Sequence, residues 1–185
     1  MKLLLLKKRY LLVIILLVTL QPLLTVAKGH EIQLNTVAVV YFSPYGGCTQ
    51  AIVSELDRAK TEVLIQAYSF TNDAIANALI RAHTRGVKVQ IIIDKKQKWA
   101  KGSVADYERR AGIPIYVDHT HGAAHNKIMI LDGAIVITGS FNFTKAAEEK
   151  NSENLLIIRS SELAKLYIEN WCKHRSHSDC YDGKK

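Results

Sequence analysis

The sequence predicts an α/β fold in which a mixed β-sheet is sandwiched between helices. Three observations predict this class: apolar runs rich in β-branched residues recur along the chain, helical patterns separate several of these runs, and no internal repeat or linker interrupts them. Strands that alternate with helices are typical of layered α/β domains. We therefore expect one domain with a sheet at its centre.

Seven segments have the composition of buried or half-buried strands, because apolar and β-branched residues dominate each of them. In chain order they cover residues 37–42, 63–70, 87–93, 113–117, 127–131, 134–138 and 155–158. Segments of this length are ordinary for the strands of globular proteins.

Four segments show apolar residues at helical spacing. The first two carry their apolar stripes at Ala51, Ile52, Leu56 and Ala59, and at Ile75, Ala78, Leu79 and Ala82. The second helix begins at Asn72 or Asp73 and ends at Gly86, which are residue types that delimit helices. A third helix is predicted over residues 104–110 and a fourth over residues 162–171.

Residues 1–27 are predicted to be a signal peptide. Four basic residues within positions 2–9 precede an apolar stretch at residues 11–20, and small residues suited to a signal peptidase follow at residues 25–27. We expect cleavage after Ala27, which leaves residues 28–185 as a single periplasmic or secreted domain without a stable membrane association. An uncleaved anchor is the alternative, although the apolar stretch is shorter than the ~20 residues of a spanning helix.

The charge of the chain suits a polyanionic partner without requiring one. The formal net charge is +8, from 25 basic and 17 acidic residues. Four of the basic and none of the acidic residues lie within positions 1–27, so the mature domain would carry +4. Residues 95–101 contain four lysines and Trp99, a composition that fits either contact with single-stranded nucleic acid or a solvated loop.

The three cysteines are compatible with either a disulfide bond or a metal site. In an exported protein the favoured arrangement is a Cys172–Cys180 bridge with Cys48 free and buried, although Cys48 could take either partner. The spacing of Cys172, His174, His177 and Cys180 also resembles that of zinc ligands.

A predicted hairpin gathers several chemically active side chains. Asp132-Gly133 between two apolar runs predicts a type I′ turn, and a two-residue loop would pair Lys127 with Thr138 and His125 with Ser140. Because side chains alternate along a strand, these four polar residues would share one face at one end of the hairpin. The turn by itself accounts for Asp132, so its presence does not require contact with a substrate.

The same segment resembles the phospholipase D superfamily. It reads His125-x-Lys127-x4-Asp132-x6-Gly139-Ser140-x-Asn142, which matches the H-x-K-x4-D-x6-G-S-x-N motif of that family at every position. The chain is also similar to the short, single-motif bacterial Nuc-type endonucleases at Gln66-Ala67-Tyr68-Ser69-Phe70 and at Glu153-Asn154. The resemblance covers nearly all of the chain after residue 27 and implies a phospholipase D-like fold.

The resemblance implies an enzyme that hydrolyses a phosphodiester through a covalent phosphohistidine, without a cofactor or a metal. The implied catalytic residues are His125, Lys127, Asp132, Ser140, Asn142 and Glu153. His125 would be the nucleophile, and Glu153 would orient its ring. Lys127, Ser140 and Asn142 would bind the non-bridging oxygens of the substrate. Imidazole suits the nucleophilic role, because its ordinary pKa of ~6.5 leaves much of it neutral at neutral pH.

A single copy of the motif implies a homodimer with a shared active site. The reaction needs a second imidazole to protonate the leaving oxygen, and no other histidine of the chain is followed two positions later by a lysine. A twofold axis would bring His125 opposite its copy.

The predicted substrate is DNA, with RNA left open, cleaved with little sequence preference. A phospholipase D or phosphatidyl transferase that uses the same site is the first alternative, and a nucleic-acid-binding module without catalysis is the second. A zinc cluster of His119, His121 and His125 with Asp118 is the competing interpretation of the histidines. EDTA resistance of the activity would separate the last interpretation from the others.

Overall fold

The computed structural model describes residues 30–34 and 36–183, and the predicted signal peptide lies outside them. The strands are β1 (Ala38–Ser43), β2 (Glu62–Ala67), β3 (Lys88–Asp94), β4 (Ile115–Asp118), β5 (Lys127–Leu131), β6 (Ile135–Gly139), β7 (Glu153–Arg159) and β8 (Ser178–Cys180). The helices are α1 (Cys48–Arg58), α2 (Asp73–Thr84), α3 (Ala105–Arg110), α4 (Lys145–Glu149) and α5 (Ser161–Ser176), with a 3₁₀ helix at Gln97–Trp99. The domain boundary at residue 28 stays a prediction.

All the strands named above form one mixed sheet in the order β1-β7-β6-β5-β2-β3-β4-β8. The pairs β2–β3 and β3–β4 are parallel, and the other neighbouring pairs are antiparallel. Helices cover both faces. Ile65 of β2 packs in one cluster with residues of α1 and α2, whereas its neighbour Leu64 packs with Trp171 of α5. Because successive side chains of a strand point to opposite faces, the predicted α/β sandwich is confirmed.

Capping contacts explain where α1 and α2 begin. Asn72 precedes α2, and its Oδ1 accepts a hydrogen bond from Ala74 N, which identifies it as the N-cap residue. The start of α1 is held from elsewhere in the chain, because the carboxylate of Glu148 accepts hydrogen bonds from Gly47 N and Thr49 N. The short helix α4 therefore stabilises the first turn of α1.

The predicted strands and helices are all present, with shifts at their ends, and three short elements were not predicted. These are α4, β8 and the 3₁₀ helix, which contain only five, three and three residues. The predicted Cys172–Cys180 bridge is not formed, since Cys172, Cys180 and Cys48 are free thiols and the first two are exposed. Within the described ranges, no helix combines the length and the apolar character of a membrane span.

The register predicted for the β5–β6 hairpin is wrong by one residue. Asp132 and Gly133 do have positive φ angles of 53° and 62°, and Ala134 N donates to Leu131 O at 3.0 Å. However, Leu131 pairs with Ile135 rather than with Ala134. Asp132 N donates a hydrogen bond to Glu62 O of the adjacent strand at 2.8 Å, so the turn is tied to β2 and residues 132–134 form the connection between β5 and β6.

The shifted register changes which side chains share a face. Met129 lies opposite Ile137, and alternation then puts Lys127 and Thr138 on different faces of the sheet. Both faces of the hairpin are largely apolar and buried. The predicted polar face does not exist, and the chemically active residues meet at the end of the strands instead.

Candidate active site

An open cleft of about 300 Å³ lies at one end of the strands of the sheet. It is lined by His125, Lys127, Gly139, Ser140, Asn142 and Glu153. β6 is antiparallel to both β5 and β7, so the start of β5, the end of β6 and the start of β7 lie side by side at this end of the sheet. The cleft thus collects five of the six residues predicted to be catalytic, together with Gly139.

Lys127 and His125 are in direct contact in the cleft. The Lys127 ammonium donates a hydrogen bond to the backbone oxygen of His125 at 2.9 Å, and its Nζ lies 3.1 Å from Nδ1 of the same residue. Lys127 is only 7% exposed. Burial lowers the pKa of Lys127, while the negative charge of Glu153 opposes that change. A buried cation beside an imidazole creates a site that favours an anionic ligand.

Tyr68 fixes these two groups from the side of β2. Its ring centroid lies 4.2 Å from that of His125, and Lys127 Nζ lies 5.1 Å from the Tyr68 ring. The backbone N–H of Tyr68 also donates to Asn126 O. Tyr68 was noted in the sequence only as part of the family resemblance, without a role. The structure makes it the residue that packs against the predicted nucleophile.

Ser140 is held by Asn154, a second residue to which the sequence assigned no role. Ser140 N donates to Asn154 O at 3.1 Å, and Asn154 N donates to Ser140 Oγ at 3.1 Å. The hydroxyl has no acceptor for its own proton within the described part of the chain, so that proton is free for a ligand. Gly139 allows the end of β6 to approach the backbone of Asn154 closely, because a Cβ at position 139 would lie 2.3 Å from Asn154 O.

Asn142, three residues after the end of β6, and Glu153, the first residue of β7, complete the cleft. Asn142 lies between two buried aromatic residues, Phe141 and Phe143, and its buried Oδ1 has no hydrogen-bond partner among the described residues. Glu153 is half-buried and accepts a hydrogen bond from Asn151 Nδ2 at 3.2 Å. It was expected to orient the ring of His125, but its described hydrogen bond goes to Asn151.

The structure does not bring Asp132 to the cleft. Asp132 follows β5 at the end opposite to Lys127, about 16 Å away along the strand at ~3.3 Å per residue. Its carboxylate accepts hydrogen bonds from Lys60 N, Thr61 N and Glu62 N at 3.0, 2.8 and 3.1 Å. The catalytic role expected for Asp132 is thereby replaced by a structural one, in which it ties the hairpin turn to the segment before β2.

Neither of the two zinc clusters considered from the sequence is assembled. His125 lies in the cleft, His119 lies near Asp179, and the exposed Cys172 and Cys180 are not part of a potential metal cluster. A different set, made of Asp118, His121, His174 and His177, does converge.

The basic segment at residues 95–101 is fixed at the same end of the strands as the cleft. Gln97 exchanges two hydrogen bonds with the backbone of Phe70, which follows β2 just after Tyr68. Trp99 is 63% exposed, and Lys98 Nζ lies 5.3 Å from its ring centroid. An exposed aromatic ring among lysines is available for a ligand with stacked bases and phosphates.

Comparisons with known proteins identify relatives of this chain in sequence and in fold. Residues 52–174 match the family described as cardiolipin synthase, PLD-like domain. A protein of Rickettsia felis named phospholipase D is 44% identical over 135 residues, which cover 73% of this chain and 68% of that protein.

Two solved structures are similar over most of their length. Nuc from Salmonella typhimurium, a phospholipase D family member, superposes with a TM-score of 0.75 at 40% identity, covering 78% of this chain and 97% of that one. NucT from Helicobacter pylori gives a TM-score of 0.73 at 26% identity, covering 78% and 99%.

Proposed function

The chain belongs to the phospholipase D superfamily, whose members include hydrolases of phosphodiesters, and we propose that it is a metal-independent endonuclease that cleaves DNA. RNA, which has the same phosphodiester linkage, is a second proposed substrate. The observation that carries the proposal is the convergence of His125, Lys127, Ser140 and Asn142 in one cleft. The mature enzyme would act in the periplasm or outside the cell, since residues 1–27 have the composition of a signal peptide.

In the proposed reaction His125 is the nucleophile. Its neutral ring attacks phosphorus and displaces one ester oxygen, which leaves with a proton supplied by a second imidazole. The product is a phosphohistidine. That second imidazole, now neutral, takes a proton from water, and the resulting hydroxide attacks phosphorus to release the phosphate monoester and regenerate His125.

The groups beside His125 are suited to binding the non-bridging oxygens. Lys127 supplies a buried positive charge 3.1 Å from the ring, and Ser140 supplies a free hydroxyl proton at the surface of the cleft. The amide of Asn142 offers a further donor. Preorganised donors of this kind stabilise the charge that develops on the phosphoryl oxygens in the transition state.

The second imidazole is proposed to come from a second copy of the chain. β1 is an edge strand of the sheet, and it exposes Val40 and Phe42 to 48% and 65%. Its register places Ser43 opposite Glu153, so this apolar strand reaches the rim of the cleft. A twofold axis that runs along β1 would pack the exposed side chains of the two copies of this strand against each other and would keep the two clefts at the same end of the contact.

The segment at residues 95–101 supports nucleic acid as the substrate. The exposed ring of Trp99 and the lysines around it follow β3 at the same end of the strands as the cleft, where they can contact bases and phosphates. No base-reading helix is needed, because contacts to phosphates carry no sequence information. Lipid is the second candidate, since the similar Rickettsia proteins bear the name phospholipase D.

The proposal is tested by incubating the purified protein with supercoiled plasmid after divalent cations have been chelated, with folding verified by circular dichroism. We expect plasmid cleavage by the wild type and by the control His119→Asn, and no cleavage by a folded His125→Asn variant. Phosphatidylcholine vesicles in parallel should release no choline. Cleavage by a folded His125→Asn variant, or loss of cleavage on chelation that Mg²⁺ restores, would contradict the proposed chemistry.

A further inference from the structure

A second cluster of polar side chains lies outside the catalytic cleft. Asp118, His121, His174 and His177 each offer one ligand atom, and these four atoms all lie within 4.8 Å of one another. Asp118 Oδ2 lies 2.9 Å from His121 Nδ1, 3.0 Å from His174 Nδ1 and 3.5 Å from His177 Nε2. Three imidazoles thus surround a single carboxylate.

Burial distinguishes this cluster from an ordinary network of surface side chains. The Asp118 side chain is fully buried, and that of His174 is 14% exposed. The Nε2 atom of His177 is also buried, and no residue in the described ranges forms a hydrogen bond with it. A buried ring nitrogen without a hydrogen bond costs free energy unless something else binds it.

We propose that these four residues bind a divalent transition metal ion, with Zn²⁺ as the best match. Nitrogen donors from imidazole and one carboxylate oxygen suit Zn²⁺, whereas Mg²⁺ and Ca²⁺ prefer sets of oxygen ligands. Tetrahedral ligands at about 2.0 Å from zinc are about 3.3 Å apart. The separations between Asp118 and the three rings already fall near that value.

Contacts around the ligands hold two of them in place. The backbone oxygen of His174 accepts a hydrogen bond from Ser178 Oγ at 2.8 Å, and that of His121 accepts one from Lys95 Nζ at 2.8 Å. Supporting hydrogen bonds around the ligands are typical of metal sites in proteins.

The position of the site indicates a structural role. Asp118 ends β4, His121 lies in the loop that leads to His125, and His174 and His177 lie at the end of α5. A metal ion would therefore cross-link the C-terminal helix and the three-residue strand β8 to the loop before the catalytic histidine. Four protein ligands would fill a tetrahedral shell and leave no position for a reacting water.

The experiment measures metal binding and unfolding, not phosphodiester cleavage, so its outcome is independent of the proposed function. The full purified chain is stripped with a chelator, titrated with Zn²⁺ against a chromophoric competitor, and heated with and without Zn²⁺. We expect one Zn²⁺ per chain and a higher melting temperature in its presence. Co²⁺ in the same site should show the visible absorption of tetrahedral coordination.

Variants locate the site. His177→Gln and His174→Gln should each weaken Zn²⁺ binding about 100-fold or more, because even changes around metal ligands cost about 10–100-fold. The matched control His119→Gln changes a nearby histidine outside the cluster and should bind as the wild type does. A Cys172→Ser/Cys180→Ser double variant should also bind normally. If the stripped wild type takes up no stoichiometric Zn²⁺, or if only the cysteine variant loses binding, the proposal is wrong.

Discussion

Substitution of Asp132 should destabilise the fold without disabling the chemistry. The residue belongs to the family motif, yet its carboxylate accepts hydrogen bonds from the backbone of residues 60–62 and from Thr61 Oγ1. All of these contacts lie at the end of the hairpin that is remote from His125. Asp132→Asn and Asp132→Ala should therefore lower the free energy of unfolding and leave the turnover of the folded protein nearly unchanged.

The size of the effect follows from these contacts. Hydrogen bonds to a charged group contribute about 1.5–3 kcal/mol, and partial exposure favours the lower end of that range, since water replaces some of them. Asn tolerates the positive φ of this position, so Asp132→Asn should cost about 1.5 kcal/mol. Ala also introduces backbone strain of about 1–2 kcal/mol, which raises the cost to about 3 kcal/mol. For a domain of this size, that corresponds to a fall in melting temperature of about 6–12 °C.

The pH dependence provides an independent check. Burial raises the pKa of Asp132, but the hydrogen bonds from Thr61, Glu62 and Lys60 outweigh it, so the net pKa lies below its usual range. A carboxyl group with a lowered folded-state pKa stabilises the protein fully above its unfolded pKa of about 4, and this contribution is lost as the pH falls through the folded value. The stability difference between wild type and Asp132→Asn should therefore shrink in acid.

Urea denaturation and thermal melting measure these differences, and plasmid cleavage per folded protein measures the chemistry. Asp57→Asn is the matched control, because Asp57 pairs with Arg81 at the surface and should matter by no more than about 1 kcal/mol. A variant at Asp132 that melts like the wild type but cleaves 100-fold more slowly would refute this reasoning and restore a catalytic role for the carboxylate.

Three further predictions concern the cleft, the core and the edge strand. Gly139→Ala should cost about 2 kcal/mol or more and slow cleavage, because its Cβ would meet Asn154 O; melting and turnover test this. Burial raises the pKa of Glu108 well above its usual range, so its contribution to stability is full below the unfolded pKa of about 4.3 and is lost as pH rises. Glu108→Gln should hence gain stability relative to wild type at pH 8 but not at pH 4 in urea titrations. Phe42→Glu should yield an inactive monomer in sedimentation, unlike Tyr107→Glu on α3; an active Phe42→Glu monomer would contradict the shared site.

The parts of the site that could be predicted from the sequence are those set by local spacing. His125 and Lys127 stand at the start of an unmistakable strand, and Ser140 follows the end of the next one. Antiparallel pairing alone brings these two points together, whatever the register. Glu153 joined them because it begins the third strand of the same antiparallel run.

What could not be predicted depends on contacts between distant segments. In the observed register Asp132 N donates a hydrogen bond to Glu62 O on the neighbouring β2, a contact that no pattern within the hairpin encodes. The cluster around Asp118 requires β8, a three-residue polar strand, to pair with β4 so that Ser178 lies opposite Asp118. Its sequence signal is faint: an Asp-x-x-His pair and a His-x-x-His pair separated by more than fifty positions.

The two histidine sites differ in the charge that accompanies the imidazole, and that difference determines what each can bind. Lys127 lies against His125, so a divalent cation there would meet a buried positive charge, whereas a phosphate would be attracted. Asp118 lies against the other three rings, and its buried negative charge favours a cation at the point where they converge. Only a few residues separate His121 from His125. The loop between them can therefore present one histidine to a metal and the next to a phosphodiester without competition, because the neighbouring charges select opposite ligands.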